Sequence, residues 1–218
     1  MTSSGDRRPI AARQLRISAA IANWLAARNV SPNAISIGGL LCGGLAGLAF
    51  ALTVEMPQGA RVFWLIGALL VQLRLAANMF DGMVALARNV ASPVGELYNE
   101  IPDRLSDSAV LVGVGVAAGD WGLGALAALT AMATAYVRAV GKAAGAPSDF
   151  GGPMAKQQRM FLVTLAALWL GLAPAALQQQ ALAPGGLLPA LLLIIIVGTG
   201  LTCGRRLRHI GAALRDRR

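Results

Sequence analysis

The segment NMFDGMVALARNVASPVGELYNEIPDRLSD, residues 78–107, decides how this sequence is interpreted. It contains five of the ten acidic residues in the chain, namely Asp81, Glu96, Glu100, Asp103 and Asp107. Apolar runs flank the segment and continue along most of the sequence. Carboxylates are costly inside a membrane unless they are paired, hydrated or bound to a metal, so their concentration here indicates a functional site.

The overall composition is that of a membrane protein. Hydrophobic residues make up 56% of the 218 residues and charged residues only 13%, and the mean hydropathy is +0.61. Charged residues make up roughly a quarter of an ordinary soluble domain. The apolar runs are continuous rather than alternating, which argues against a β-barrel. We therefore predict an all-α, polytopic membrane protein.

Six hydrophobic runs are near or above the ~20 residues that a bilayer requires. An amphipathic segment (15–28) precedes them and is predicted to lie along the membrane surface. The predicted domains are a basic N-terminal segment with this interfacial helix (1–30), a six-helix transmembrane domain (31–206) and a basic tail (207–218). The six predicted spans are 32–54, 59–88, 93–118, 121–144, 156–177 and 185–205.

The basic residues predict the orientation in the membrane. The net charge is +9, and most Lys and Arg residues lie at the two termini and beside the loops after the second and fourth spans. The three opposite loops contain one basic residue among them, Arg61. Because cytoplasmic loops carry an excess of Lys and Arg, both termini are predicted to be cytoplasmic, without a need to invoke nucleic acid binding. The short loops favour a bacterial inner membrane.

Two further patterns concern the cysteines and the N-terminal segment. Cys42 and Cys203 lie in apolar runs and are predicted to be small core residues rather than a disulfide or zinc ligands. The N-terminus is polar for about 17 residues, and the apolar stretch that follows is too broken to be a cleavable signal peptide.

The polar residues of the segment fall on shared helix faces. Asn78 and Asp81 are three residues apart, whereas Asn99, Asp103 and Asp107 are each four apart and form one stripe. The two helices that carry them run antiparallel across a short turn. We therefore expect the first pair to meet Asn99 and Asp103 at a similar depth, just inside the cytoplasmic face.

A cluster of Asp and Asn oxygens suits a hard cation such as Mg²⁺ or Mn²⁺. No His or Cys lies nearby, which argues against zinc. The alternative is an internal ion-pair network of Asp103, Arg104 and Asp107, which is less favoured because the acids outnumber their basic neighbours. A divalent cation in a site flanked by basic residues suggests a substrate that carries phosphate.

The segment resembles the signature of the CDP-alcohol phosphotransferase family, D-x2-D-G-x2-A-R-x8-G-x3-D-x3-D. The spacing is kept over 26 residues, whereas Asn78 and Asn99 replace aspartates and Leu86 replaces arginine. The segments 29–36 (NVSPNAIS), 136–139 (YVRA) and 151–160 (GGPMAKQQRM) also resemble the family. The aligned positions are Asn78, Asp81, Gly82, Ala85, Leu86, Gly95, Asn99 and Asp103.

The resemblance implies an integral membrane transferase of phospholipid biosynthesis. Such an enzyme moves a substituted phosphate from a CDP-linked lipid or alcohol to an acceptor hydroxyl and releases CMP. The resemblance implies Mg²⁺ or Mn²⁺ at Asn78, Asp81, Asn99 and Asp103, with Asp103 as the base. The residues implied to bind the nucleotide or substrate phosphate are Gly82, Ala85, Gly95, Arg138, Lys156 and Arg159.

The departures from the signature change the predicted metal site. Asn still offers a carbonyl oxygen, but it binds a divalent cation less tightly than a carboxylate does. The segment also contains Glu100 beside Asn99 and Asp107 one turn beyond Asp103. We predict that these acids compensate, Glu100 as a metal ligand and Asp107 as a catalytic residue.

Three alternatives remain open from the sequence. A degenerate family member could act as a lipid-binding or scaffold subunit, and a UbiA-type prenyltransferase could use DRLSD (103–107) as its D-x3-D element. A transporter is less favoured because the charges cluster at one face. The first span carries five glycines that could pack helices within one chain or in a homodimer: Gly38, Gly39, Gly43, Gly44 and Gly47.

Overall fold

The structure is a computed structural model that describes residues 15–90, 93–174, 177–178 and 186–216. The predicted basic residues before position 15, together with Arg217 and Arg218, lie outside the described residues. Within the described ranges the fold contains seven α-helices and a short 3₁₀ turn, Pro57–Gly59. The helices are α1 (Arg16–Ala27), α2 (Pro32–Glu55), α3 (Ala60–Ala87), α4 (Pro93–Ala117), α5 (Trp121–Ala143), α6 (Lys156–Leu172) and α7 (Leu187–Arg215).

Helices α2 to α7 occupy the positions of the six predicted spans. By length and apolar composition, four helical segments of the described chain could cross a membrane: Pro32–Glu55, Pro57–Ala87, Trp121–Ala143 and Leu187–Arg215. Helix α4 differs because it carries several charged side chains, and α6 has only 17 residues. A 17-residue helix is about 25 Å long, which is shorter than the ~30 Å hydrocarbon core. Six spans therefore remain a prediction.

The outer surface of the helices is strongly apolar. Leu41, Leu69, Leu129 and Leu201 are each at least 59% exposed. Such large exposed apolar faces indicate contact with lipid. Helix α7 continues to Arg215, ten residues past the predicted end of the last span, so most of the predicted basic tail is helical.

Helix α1 matches the predicted amphipathic segment. It buries Ser18 and Ala22, packs against α3 and leaves Ile17 and Trp24 exposed. The Arg28 guanidinium lies 4.3 Å from the centre of the Trp24 ring. These features suit a helix at the membrane surface, although its position relative to the bilayer remains a prediction.

Glycines allow α2 to approach α4 closely. A Cβ added to Gly43 would collide with Ser106, and one on Gly47 would collide with the backbone of Ala109. By contrast, a Cβ on Gly38 or Gly44 would meet nothing within 4 Å. One glycine face of the first span therefore packs within the chain, and this packing brings α2 against the polar part of α4.

The apolar core lies beyond the polar segment along the same helices. Phe50 of α2 packs against Trp64 of α3, with 5.3 Å between the ring centres, and both side chains are buried. Val71 of α3, Leu111 of α4 and other buried apolar residues of α4 to α7 complete this core. The polar residues of α3 and α4 are thus held at one end of a packed bundle.

Candidate active site

The structure brings together the four polar signature positions of α3 and α4. The Asn99 side-chain amide donates a hydrogen bond to Asp81 Oδ2 (2.9 Å), and the Asn78 amide donates to Asn99 Oδ1 (3.3 Å). Together with Asp103, these residues line a cavity of about 10 Å³, which has room for about one water molecule. We call Asn78, Asp81, Asn99 and Asp103 the signature cluster.

Asp81 is held by donors from α2 and α3 as well as by Asn99 of α4. Ser36 of α2 donates its hydroxyl to Asp81 Oδ2 (2.6 Å), and the Gly82 backbone N–H donates to Asp81 Oδ1 (2.5 Å). Both carboxylate oxygens therefore accept hydrogen bonds, and the residue is only 3% exposed. Ser36 was not among the predicted site residues, although it ends the family-like segment 29–36.

Lys156 extends into the signature cluster. It is the first residue of α6, and its ammonium group donates to Asn78 Oδ1 (2.8 Å) and to Asp103 Oδ2. The side chain is fully enclosed, with 2% of its surface exposed. Lys156 was predicted to contact substrate phosphate, whereas in this structure its charge is paired with the signature cluster.

Arg74 is the main charged residue that the sequence interpretation missed. Its guanidinium group contacts Asp103 Oδ1 (3.0 Å) and Asp107 Oδ1 (2.7 Å), and its Nε donates to Ser106 Oγ (2.9 Å). The side chain is 1% exposed. Arg74 lies four residues before Asn78, on the same helix face. An arginine at this position within an apolar run could have indicated from the sequence that it belongs to the polar site.

The expected excess of acidic over basic groups is therefore wrong. Asp103 and Asp107 are compensated by Arg74 and Lys156, and Arg159 Nη2 lies 3.6 Å from Asp107 Oδ2. These partners come from α3 and α6, and the two that contact Asp103 lie 29 and 53 residues from it in sequence. Arg104 is also 3.6 Å from Asp103 Oδ2. The ion-pair network that the sequence offered as an alternative is therefore present, and it includes more basic residues than Arg104 alone.

The two predicted compensating acids do not join the signature cluster. Glu100 pairs with Arg104 (3.3 Å) and with Arg138 (2.6 Å), and its side chain is 38% exposed. Asp107 lies one turn deeper on α4 than Asp103 and is not among the residues that line the cavity. Glu100 as a metal ligand and Asp107 as a direct catalytic residue therefore have no geometric support, because nearby arginines bind both.

The remaining predicted residues lie at different distances from the cavity. Arg159 is buried and donates to the Met154 carbonyl oxygen (2.9 Å), whereas Arg138 also stacks on Phe150 at 4.8 Å. Gly82 is next to Asp81 and contributes its N–H, as described. Ala85 and Gly95 are partly buried on α3 and α4 and are not among the residues that line the cavity.

The arrangement of the signature cluster does not fit a divalent cation. Each carboxylate oxygen of Asp81 and Asp103 already accepts a hydrogen bond or ion pair from a protein donor. The described residues contain no group of three or more His, Cys, Asp or Glu side chains that could hold a metal. Mg²⁺ also keeps several water ligands, for which the cavity has too little room.

Comparisons with known proteins identify related sequences. The chain is 30% identical over 163 residues to phosphatidylinositol phosphate synthase of Mycobacteroides abscessus. The aligned region covers 72% of this chain and 70% of that protein. It is 34% identical over 92 residues to chicken (Gallus gallus) cholinephosphotransferase 1. That aligned region covers 41% of this chain and 26% of the relative. No protein-family model matches the chain. These relatives do not support the prenyltransferase alternative.

Two solved structures share the fold. Both are of phosphatidylinositol phosphate synthase from Mycobacterium tuberculosis. The structure with CDP-DAG bound has a TM-score of 0.69 and 24% identity and covers 90% of this chain and 94% of that one. The structure with manganese and citrate has a TM-score of 0.70 and 22% identity and covers 89% and 88% of the two chains.

The bound manganese supports the predicted use of a divalent metal by the family. The polytopic helices, the signature spacing and the synthase relative agree with the resemblance found in the sequence. The chain is therefore a multi-pass membrane protein that belongs to the CDP-alcohol phosphotransferase family.

Proposed function

We propose that this chain is a transferase that moves the phosphatidyl group of a CDP-linked lipid, such as CDP-diacylglycerol, to an acceptor hydroxyl and releases CMP. The observation that carries the proposal is the convergence of Asn78, Asp81, Asn99 and Asp103 on one cavity. The synthase relative and the CDP-DAG in a structure of the same fold support the choice of donor.

The proposed reaction is a single displacement at phosphorus. The acceptor oxygen forms a bond to the phosphorus on the lipid side of the diphosphate. The bond from that phosphorus to the bridging oxygen breaks, and CMP leaves with the electron pair. Asp103 is the proposed acceptor of the hydroxyl proton, because it is a carboxylate that lines the cavity. The hydroxyl would first displace one of the two cations that contact the Asp103 carboxylate most closely, Arg74 or Lys156.

The basic residues have distinct proposed roles. Lys156 is proposed to stabilise the negative charge that develops on the leaving phosphate, because its ammonium group contacts Asn78 and Asp103 of the signature cluster. Arg138 is proposed to bind a phosphate on the acceptor, because its partner Glu100 is partly exposed and can be exchanged for another anion. Gly82, Ala85 and Gly95 remain the proposed contacts for cytidine. A phosphorylated acceptor alcohol also agrees with the name of the synthase relative.

The proposed setting is a bacterial inner membrane, with six spans and both termini in the cytoplasm. The distribution of Lys and Arg supports this orientation. Gly38 and Gly44 meet nothing within 4 Å and lie at the two edges of an exposed side of α2 that also carries Leu41 and Leu45, and this side is the surface we propose for a homodimer.

The test is CMP release by the purified protein in lipid nanodiscs. CDP-diacylglycerol would be offered with a panel of acceptors that includes glycerol phosphate, inositol phosphate, serine and choline, with Mn²⁺ and with chelator. We expect Asp81→Asn and Asp103→Asn to lower kcat at least about a hundredfold. Asp120→Asn is the control, because Asp120 caps α5 away from the cavity and Asn is also a good cap. Full activity of Asp103→Asn would contradict the proposal.

A catalytically degenerate lipid-binding or scaffold subunit is the second candidate function. It is favoured by one observation, namely that protein donors engage every carboxylate oxygen of the signature cluster. Such a subunit would bind CDP-diacylglycerol without releasing CMP. Equilibrium binding of labelled lipid, measured beside the activity assay, separates the two candidates.

A further inference from the structure

We propose that the Lys156 ammonium group is a built-in cation that takes the place of a divalent metal between the first and last signature positions. It contacts Asn78 of α3 and Asp103 of α4, one residue from each helix. A metal ion at a signature of this kind would hold the same two helices together. In this chain a side chain from α6 makes that connection.

The charges of the signature cluster agree with this exchange. Two of the four signature aspartates are replaced by Asn, which leaves Asp81 and Asp103 as the only carboxylates at those positions. Arg74 and Lys156 each add one positive charge beside Asp103 and balance the two negative charges. Asp107 is balanced in turn by Arg159. These three acids and three bases are therefore neutral together, and the nearby Arg104 pairs with Glu100.

A divalent cation added to this neutral group would leave two uncompensated positive charges in a buried place. Such charges are strongly destabilising unless they are paired. The ion would also have to remove Asp103 from Arg74 or Lys156, since each oxygen of that carboxylate is engaged. The replacement of Asp by Asn and the presence of Lys156 thus act in the same direction, against a divalent metal.

The chemistry of lysine suits this role. Its ammonium group is a compact point charge with three donors on a flexible stem, unlike the planar guanidinium of arginine. Two of those donors are used by Asn78 and Asp103. We assign the third to an oxygen of a ligand diphosphate, which would have to open the enclosed site in order to reach it. This part of the inference rests on the proposed function, because it makes Lys156 the positive group that balances the diphosphate of the proposed CDP-linked substrate.

The first test measures Mn²⁺ binding rather than catalysis. The full-length protein in nanodiscs would be titrated with Mn²⁺, and free Mn²⁺ would be followed by electron paramagnetic resonance. We expect no saturable site in the wild type. Lys156→Met should create one, and adding Asn78→Asp should tighten it at least about tenfold, because carboxylate charge raises the affinity for divalent cations.

Two variants act as controls. Lys156→Arg keeps the positive charge and should still exclude Mn²⁺. Arg208→Met removes one positive charge from an exposed part of α7 and should not create a site. Saturable binding to the wild type that is lost in Asp81→Asn would overturn the proposal, even if every Lys156 variant failed to fold.

The second test separates this inference from the proposed function. If the wild type releases CMP equally well with Mn²⁺ and with chelator, both proposals are supported. If chelator abolishes the release, the function stands and the built-in cation is wrong. If no CMP is released under either condition, the transferase proposal fails, and the Mn²⁺ titration still decides the role of Lys156.

Discussion

At the scale of single residues, Arg74 controls the electrostatics of the site. It is almost completely buried and bridges Asp103 and Asp107, which are one turn apart on α4. The same Nη2 nitrogen that contacts the two carboxylates also donates to the Asp103 carbonyl oxygen (3.0 Å). One side chain of α3 therefore fixes both the position and the charge balance of two acids on a neighbouring helix.

Replacement of Arg74 should destabilise the protein strongly. Arg74→Met leaves Asp103 and Asp107 with too few positive partners, and removing one member of a buried ion pair costs about 3–5 kcal/mol. Thermal unfolding in detergent, followed by tryptophan fluorescence, would measure the loss. Addition of Asp103→Asn and Asp107→Asn should recover part of it. The exposed Arg208→Met is the matched control, and an unchanged Tm for Arg74→Met would contradict the assignment.

Ser36 offers a milder test of the signature cluster. Ser36→Ala removes the hydroxyl donor to Asp81 but leaves the donors from Gly82 and Asn99. A hydrogen bond to a charged group contributes about 1.5–3 kcal/mol, so kcat/KM for CMP release should fall by at least tenfold. Ser31→Ala, at the exposed start of the same helix, should leave kcat/KM unchanged because the Ser31 side chain makes no capping hydrogen bond.

At the scale of helices, the glycine face of α2 sets the geometry of the site. Gly43 and Gly47 let α2 approach α4 closely, whereas Gly39 faces Ala77 of α3, the helix on which Asp81 accepts a hydrogen bond from Ser36. Helix α6 contributes from the other side of the cluster, because Lys156 is its first residue. Three helices besides α4 must therefore dock correctly before the cluster is complete.

The two faces of α2 should respond differently to the same substitution. Gly47→Ala places a Cβ against the Ala109 carbonyl and should lower stability by about 1–3 kcal/mol through overpacking. Gly44→Ala meets nothing within 4 Å and should stabilise the helix by up to about 1 kcal/mol. Chemical denaturation of both variants checks this. Equal effects would show that the described glycine face is not the packing face.

At the scale of the whole molecule, polar and apolar interiors occupy different parts of the bundle. The apolar core surrounds Phe50 and Trp64, whereas the ion pairs gather towards the ends of α3 and α6 that we assign to the cytoplasm. On this side of the bundle, Arg206 of α7 connects α5 and the segment before α6 by donating to the carbonyl oxygens of Thr134 and Gly151. A charged substrate could thus reach the site without crossing the apolar core.

The orientation has a direct test by cysteine labelling. In a background with Cys42→Ser and Cys203→Ser, Gln58→Cys lies in the turn before α3 and Arg208→Cys lies on α7. A membrane-impermeant thiol reagent should label the first in intact cells, because its loop is predicted to face outward. It should label the second only after lysis. The reverse pattern would show that the termini are outside.

The sequence by itself determined most of the fold and the identity of the signature cluster. Long continuous apolar runs predict helices because a helix satisfies its own backbone hydrogen bonds inside a membrane. The described helices begin close to the predicted limits, whereas α6 ends at Leu172 rather than at 177 and α7 ends at Arg215 rather than at 205. The spacing of Asn78, Asp81, Asn99 and Asp103 places each pair on one helix face, since helical periodicity is a local property. The resemblance to the family follows from the same spacing, and the synthase relative confirms it.

Only the tertiary structure decided which charges pair. Lys156 and Asp103 are 53 residues apart, and Arg74 and Asp103 are 29 apart, so no local pattern links them. The same packing directs Glu100 to Arg138 rather than to the signature cluster. Ion pairing depends on which helices lie side by side and at what depth, and that is determined by the glycine face of α2 and the docking of α6 against α3.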